Sequence, residues 1–169
     1  MAVDVGGPAA PRAAEPRDAA QDRGAASPHP TGLEGLRRLA ALDEVVRAVE
    51  RTHAPLYVRV SDGPAVDRCT VSCDHESGCV LPGLSVNPLD PEPWWDRPVE
   101  HWVARQLSRS TSLAVEGRHA WLLTGEVSGR GPDCEPLLVA VHPVAVLDDA
   151  VLGEAEARYG QVFETDRES

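Results

Sequence analysis

From Leu33 onward the chain settles into a helical rhythm. Leu36, Leu39, Ala40, Val46 and Val49 recur on one face while Glu34, Arg37, Arg38, Asp43, Glu44, Arg47 and Glu50 fill the other, the spacing of an amphipathic helix. Pro55 ends it. Leu56 to Val60 (LYVRV) is a short β-rich run, stopped by Ser61-Asp62-Gly63-Pro64, whose residue types favour a turn. Arg68 to Gly78 is polar and cysteine-rich and reads as a loop or ragged hairpin. In Val80 to Val86, Pro82 and Gly83 leave room for a short strand only after Gly83. Asn87-Pro88 and Asp90-Pro91-Glu92-Pro93 then hold the backbone out of helix, because the residue before a proline avoids the α region.

Pro98 suits the first turn of a second helix running to about Ser110, with Val99, Trp102, Val103, Gln106 and Leu107 on one face. Trp102 is expected in the core. His119 to Val127 and Leu137 to Leu147 are the best strand candidates, joined by a Gly- and Pro-containing segment from Ser128 to Pro136. Asp148-Asp149 can cap a final helix to Tyr159, with Leu152, Ala155 and Tyr159 inward. Helices and strands do not alternate as a doubly wound sheet requires, so the class is α+β. The expected architecture is a small mixed or antiparallel sheet of about four short strands packed with about three helices.

Residues 1–32 interrupt this picture. They are rich in Ala, Pro and Gly with almost no large apolar side chain, so burial cannot offset the entropy of ordering and a disordered tail is expected. A flexible tether and an upstream start codon are the alternatives. Residues 33–163 then form a single domain and residues 164–169 a frayed end.

Composition narrows the function classes. Hydrophobic residues make up 42% of the 169 residues, enough for one core, but aromatics only 4%, so Leu, Val and Ala carry the core with the four tryptophans as large fillers. The net charge is −11, and all sixteen basic residues are arginine, a bias of the kind a high-GC genome imposes. With the arginines scattered, an acidic surface argues against nucleic acid as a partner. No apolar leader and no membrane-spanning stretch stands in the sequence, so a cytoplasmic location is expected, with reduced cysteines.

Several clusters could carry chemistry. Cys69, Cys73, His75 and Cys79 are chemically a set of zinc ligands, but one tight loop would have to supply all four and the spacing is not the paired C-x2-4-C form, so no metal is assigned. Cys134 lies between Asp133 and Glu135, which raise rather than lower a thiol pKa and argue against a nucleophile. Around it, Gly129-Arg130-Gly131 leaves a guanidinium accessible and permits close approach to a ligand. The plain alternative is a tight connection between strands. Trp94, Trp95 and Arg97 could present indole faces and a cation to a planar, anionic ligand; alternatively at least one of these tryptophans plugs the core. None of the six histidines stands in a recognised nucleophile arrangement.

The blocks LYVRVSDGP (Leu56 to Pro64), LPGLSVNPL (Leu81 to Leu89), PEPWWDRPVEHWVARQL (Pro91 to Leu107) and WLLTGEVSGRGPDCEPLL (Trp121 to Leu138) resemble an uncharacterised actinobacterial family, a domain of unknown function. That resemblance carries no activity and does not feature the cysteine cluster. The same blocks are loosely similar to the R-S-E class of ADP-ribosyltransferases. Arg59, Ser85 and Glu135 follow that class's order, with Asp133 where it places Glu or Gln and a lone Ser85 in place of a Ser-Thr-Ser run. The likeness implies NAD as substrate: Arg59 to hold its pyrophosphate, Ser85 to position the nicotinamide side, and Glu135 to bind ribose and stabilise an oxocarbenium-like state.

Two functions are therefore carried forward. The first is a binding or regulatory module that meets a protein or small ligand through Trp94, Trp95, Arg97, Arg130 and Asp133. The second is an NAD-using enzyme working through Arg59, Ser85 and Glu135. Convergence of those three residues in space favours the enzyme; an exposed Trp with the three scattered favours the module.

Overall fold

The computed structural model describes residues 30–68, 72, 78–115 and 117–164. In chain order these carry β1 (Arg37–Leu39), α1 (Leu42–Arg51), β2 (Tyr57–Ser61), α2 (Pro64–Asp67), β3 (Leu84–Ser85), β4 (Asn87–Pro88), α3 (Val99–Ser108), β5 (His119–Arg130), β6 (Pro136–Leu147) and α4 (Asp149–Tyr159). The class is α+β, as the order of elements predicts. The sheet is mixed and has six strands rather than four, the additions being two short pieces, β1 and β4.

The long hairpin β5–β6 is its spine, with β2 antiparallel to the outer edge of β5. The free edge of β6 is shared. Its end at residues 145–147 pairs parallel with β1, and its start at residues 137–138 pairs antiparallel with β3. Two residues beyond β3, β4 pairs with β2 on the opposite edge of the sheet. The 84–88 segment thus crosses one face and closes β2, β5, β6 and β3–β4 into a small irregular barrel.

Alternation along the strands divides the core in two. One face of the sheet takes Val58, Val60, Leu122, Ala145 and Leu147, and packs under Leu42, Val45 and Val49 of α1, Val103 and Leu107 of α3, and Val151, Leu152 and Ala155 of α4. The barrel side takes Tyr57, Val86, Trp121, Leu123 and Leu138. Trp121 and Trp102 are buried, so these two tryptophans are the large core fillers.

The first helix begins nine residues later than its periodicity predicts. Leu33, Arg37 and Leu39 lie outside it, and α1 turns Leu42, Val45 and Val49 inward, with Val46 half-buried. Leu-Arg-Arg-Leu-Ala has good helix formers throughout, but the unpaired edge of β6 gives Arg37–Leu39 three residues of parallel pairing, which outweighs the weak local preference. Carboxylates start the helix: Glu44 accepts from Ala40 N at 2.7 Å and Glu154 of α4 accepts from Leu42 N at 2.7 Å. Asp148 precedes α4 as predicted, yet makes no side-chain cap and pairs with Arg38 instead. The Ser61–Pro64 turn leads directly into α2, and Gly63 at φ 121 is required there, because a Cβ would lie 2.4 Å from Thr31 O.

Candidate functional site

The strand LYVRVS points Tyr57, Arg59 and Ser61 toward the barrel side, with Arg59 paired opposite Trp121 of β5. Arg59 is tightly engaged. Its Nε and Nη2 donate to the two oxygens of Asp67 at 2.9 and 3.0 Å, and its Nη1 donates to the carbonyl of Ser85 at 2.8 Å. Arg59 is 19% exposed and Asp67 7% at the side chain, so the pair is well shielded and the forked geometry is the strong bidentate one. Ser61 Oγ donates to Asp67 at 2.6 Å and accepts from Trp121 Nε1 at 3.0 Å and Gly63 N at 3.2 Å. These bonds tie β2, α2, β3 and β5 together around one carboxylate.

Ser85 extends the row. Its Oγ donates to Glu135 Oε1 at 3.4 Å, a long bond, while Glu135 Oε2 accepts from Asp133 N at 3.0 Å. The turn between β5 and β6 holds Glu135 in place. Gly131 N donates to Glu135 O at 2.9 Å, Cys134 N donates to Gly131 O at 3.0 Å, and Arg130 Nη1 donates to Cys134 O at 2.7 Å. The Glu135 carboxylate folds back under Gly131 so closely that a Cβ there would stand 1.9 Å from Oε1. The close approach expected of this glycine is therefore made to the chain's own carboxylate, and the Arg130 guanidinium, though exposed, is bound to the turn.

Tyr57 stands near the same end of the sheet. Burial raises its pKa above the ordinary tyrosine value, the negative charge of Asp90 adds to that, and the positive charge of Arg130 opposes it. Asp90 itself accepts from Leu56 N at 2.7 Å and fixes the start of β2.

Trp94, Trp95 and Arg97 form a separate cluster built on α3 and the C-terminal turn. Trp94, Trp95 and Trp102 meet edge to face with centroids 5.2 to 5.9 Å apart. Neither Trp94 nor Trp95 plugs the core: Trp94 is 65% exposed and Trp95 half-buried, its Nε1 donating to Pro98 O at 3.2 Å. Arg97 lies over the Phe163 ring at 5.3 Å. Of the cysteine cluster, Cys69, Cys73 and His75 lie outside the described residues. Among the described residues no group of three or more His, Cys, Asp and Glu side chains could hold a metal.

Asp67, Ser61 and Tyr57 were not among the candidates read from sequence. Period-two alternation does place Tyr57 and Ser61 beside Arg59, and that signal was available. Asp67 had none, since only the four-residue helix α2 brings it back to Arg59.

The chain belongs to a family of unknown function (DUF6098), whose model matches residues 32–169. That matches the resemblance to an uncharacterised family. No curated protein and no solved structure matches the chain. Among the described residues no helix is long and apolar enough to cross a membrane.

Proposed function

We propose that the row Arg59–Ser85–Glu135 is an NAD site and that the protein is a divergent relative of the R-S-E ADP-ribosyltransferases. The observation that supports this is convergence. Ser85 and Glu135 are 50 residues apart in sequence and meet through Oγ and Oε1, and Arg59 reaches the backbone of the same serine. Trp94 is exposed, but the three residues do not scatter.

The chemistry follows from the groups. Glu135, held by Ser85 and the Asp133 amide, faces the anomeric carbon of the nicotinamide ribose. The C1′–N bond breaks, its electron pair leaves with neutral nicotinamide, and the carboxylate stabilises the oxocarbenium-like centre. Water or an acceptor nucleophile then forms the new bond to C1′ and releases its proton to solvent. Arg59 acts first as a positioning residue for Ser85. Three of its five N–H bonds are used, leaving two for a phosphate oxygen, with Asp67 offsetting most of its charge. Asp133, beside Glu135 on the turn, faces the acceptor. An NAD-using role also fits a cytoplasmic protein.

The test is incubation with NAD labelled in the nicotinamide ring. Release of label that falls about 100-fold in Glu135→Gln supports the site; release untouched by that change, or none from the wild type, sinks it.

The exposed Trp94 indole favours a second reading, a binding or regulatory module. There the Trp94–Trp95 surface with Arg97 takes a protein or small ligand, and Trp94→Ala, not Glu135→Gln, removes binding.

A further inference from the structure

A cleft of about 610 Å³ opens at the mouth of the barrel beside Asp67 and does not include Ser85 or Glu135. Its size falls in the range of small-molecule sites, and barrel mouths are a common place for them. The floor is Trp121 and Leu138, and the walls are Leu81, Pro82, Val141 and Pro143. Among the described residues that line it, polar groups are few. Asp67 is already saturated by Arg59 and Ser61, so it offers no unpaired negative charge to a cation. Arg68 stands exposed at the rim.

Backbone geometry at Ala140 and Gly83 shapes this cleft. Ala140, which lines it, adopts φ 49 at the irregularity where β6 carries one more residue than β5 between Thr124 and Glu126. A non-glycine residue in the left-handed region costs about 1 kcal/mol or more and persists where its surroundings enforce it, often at ligand sites. Gly83 packs so closely on the β5–β6 hairpin that a Cβ would lie 2.9 Å from Ser128 Oγ and 3.0 Å from Leu138 O, which fixes the Pro82–Gly83 part of the lining.

We propose that this cleft binds a small molecule with a flat apolar ring system and an anionic group, the rings lying between Pro82, Val141 and Pro143 above the buried Trp121 and the anion at Arg68. This site does not rest on the NAD reading. The probe is 1-anilinonaphthalene-8-sulfonate, which carries both features. Fluorescence titration of the full chain is expected to show one saturable site. Val141→Trp, which fills the cleft, and Val80→Asp, an exposed change that puts negative charge at its mouth, each weaken that site by about tenfold or more, the loss of roughly one good contact. Thermal melts confirm that both variants fold. Ser85→Ala and Glu135→Gln leave the titration unchanged, so this site and the NAD site stand or fall separately. Unsaturable binding, binding indifferent to both cleft variants, or binding lost in Trp94→Ala overturns the proposal.

Discussion

Gly131→Ala separates the position of the Glu135 carboxylate from its presence. A methyl group at residue 131 would stand 1.9 Å from Oε1, 2.3 Å from the carboxylate carbon and 2.7 Å from Oε2. Glu135 is half-buried and flexible, so its head group yields rather than the backbone, and it must withdraw by about 1 Å or more to reach ordinary contact. The Ser85 bond, already 3.4 Å long, is then lost, and so is the 3.0 Å bond from Asp133 N. Two partly exposed hydrogen bonds contribute about 0.5–1.5 kcal/mol each. Gly131 has no positive φ to forbid a side chain, so alanine recovers about 0.4–1 kcal/mol through the unfolded state. The net stability loss is at most about 2.5 kcal/mol, whereas nicotinamide release falls about 100-fold in kcat, the scale of losing one preorganised electrostatic group. Gly129→Ala is the control, because a Cβ there meets nothing within 4 Å; it should leave kcat unchanged and the melting temperature no lower than that of the wild type. Paired melting and turnover measurements check this. A Gly131→Ala variant with wild-type kcat would refute the claim that the folded-back carboxylate is the working one.

Other perturbations test the scaffold under the row. Arg59→Met leaves Asp67, 7% exposed at the side chain, with Ser61 as its remaining side-chain partner, and should cost about 3–5 kcal/mol in urea unfolding. Adding Asp67→Leu should return much of that. Trp121→Phe removes the Nε1 bond to Ser61 and opens space beneath it, for about 2–3 kcal/mol by the same assay. Tyr57 supplies a pH test. Its folded pKa is raised by burial, then by Asp90, so the native state holds the proton more tightly than the unfolded chain does. That stability is complete below the unfolded tyrosine pKa of about 10 and declines as pH rises through the higher folded value. Melting from pH 9 upward should fall less steeply for Tyr57→Phe than for the wild type; parallel curves would remove Tyr57 as the cause.

The strong local signals in the sequence survive folding. Proline at residue 98 starts α3, the two longest β-rich runs pair as the β5–β6 hairpin, and the turn between them carries Glu135. Arg59, Ser85 and Glu135 are nominated by the loose likeness to the R-S-E class, and each lies on a segment with strand or turn chemistry. What could not be read was set by tertiary pairing. Arg37–Leu39 left a helical pattern for the edge of β6, and Asn87–Pro88, which the proline excluded from helix, found two residues of pairing on β2. Asp67 was invisible for a related reason: its importance comes from the return of α2 onto Arg59, and no spacing in sequence encodes that distance. Gly131 was noticed for the right property, the missing Cβ, but its neighbour is Glu135 rather than a ligand.

Calorimetric titration of NAD into the wild type, Glu135→Gln, Ser85→Ala and Trp94→Ala tests the central claim most directly. The account predicts saturable binding at one site per chain, weakened about tenfold or more by either change in the row, the loss of about one good interaction, and unaltered in Trp94→Ala. An absence of binding heat in the wild type, or binding abolished by Trp94→Ala and kept in Glu135→Gln, would contradict it.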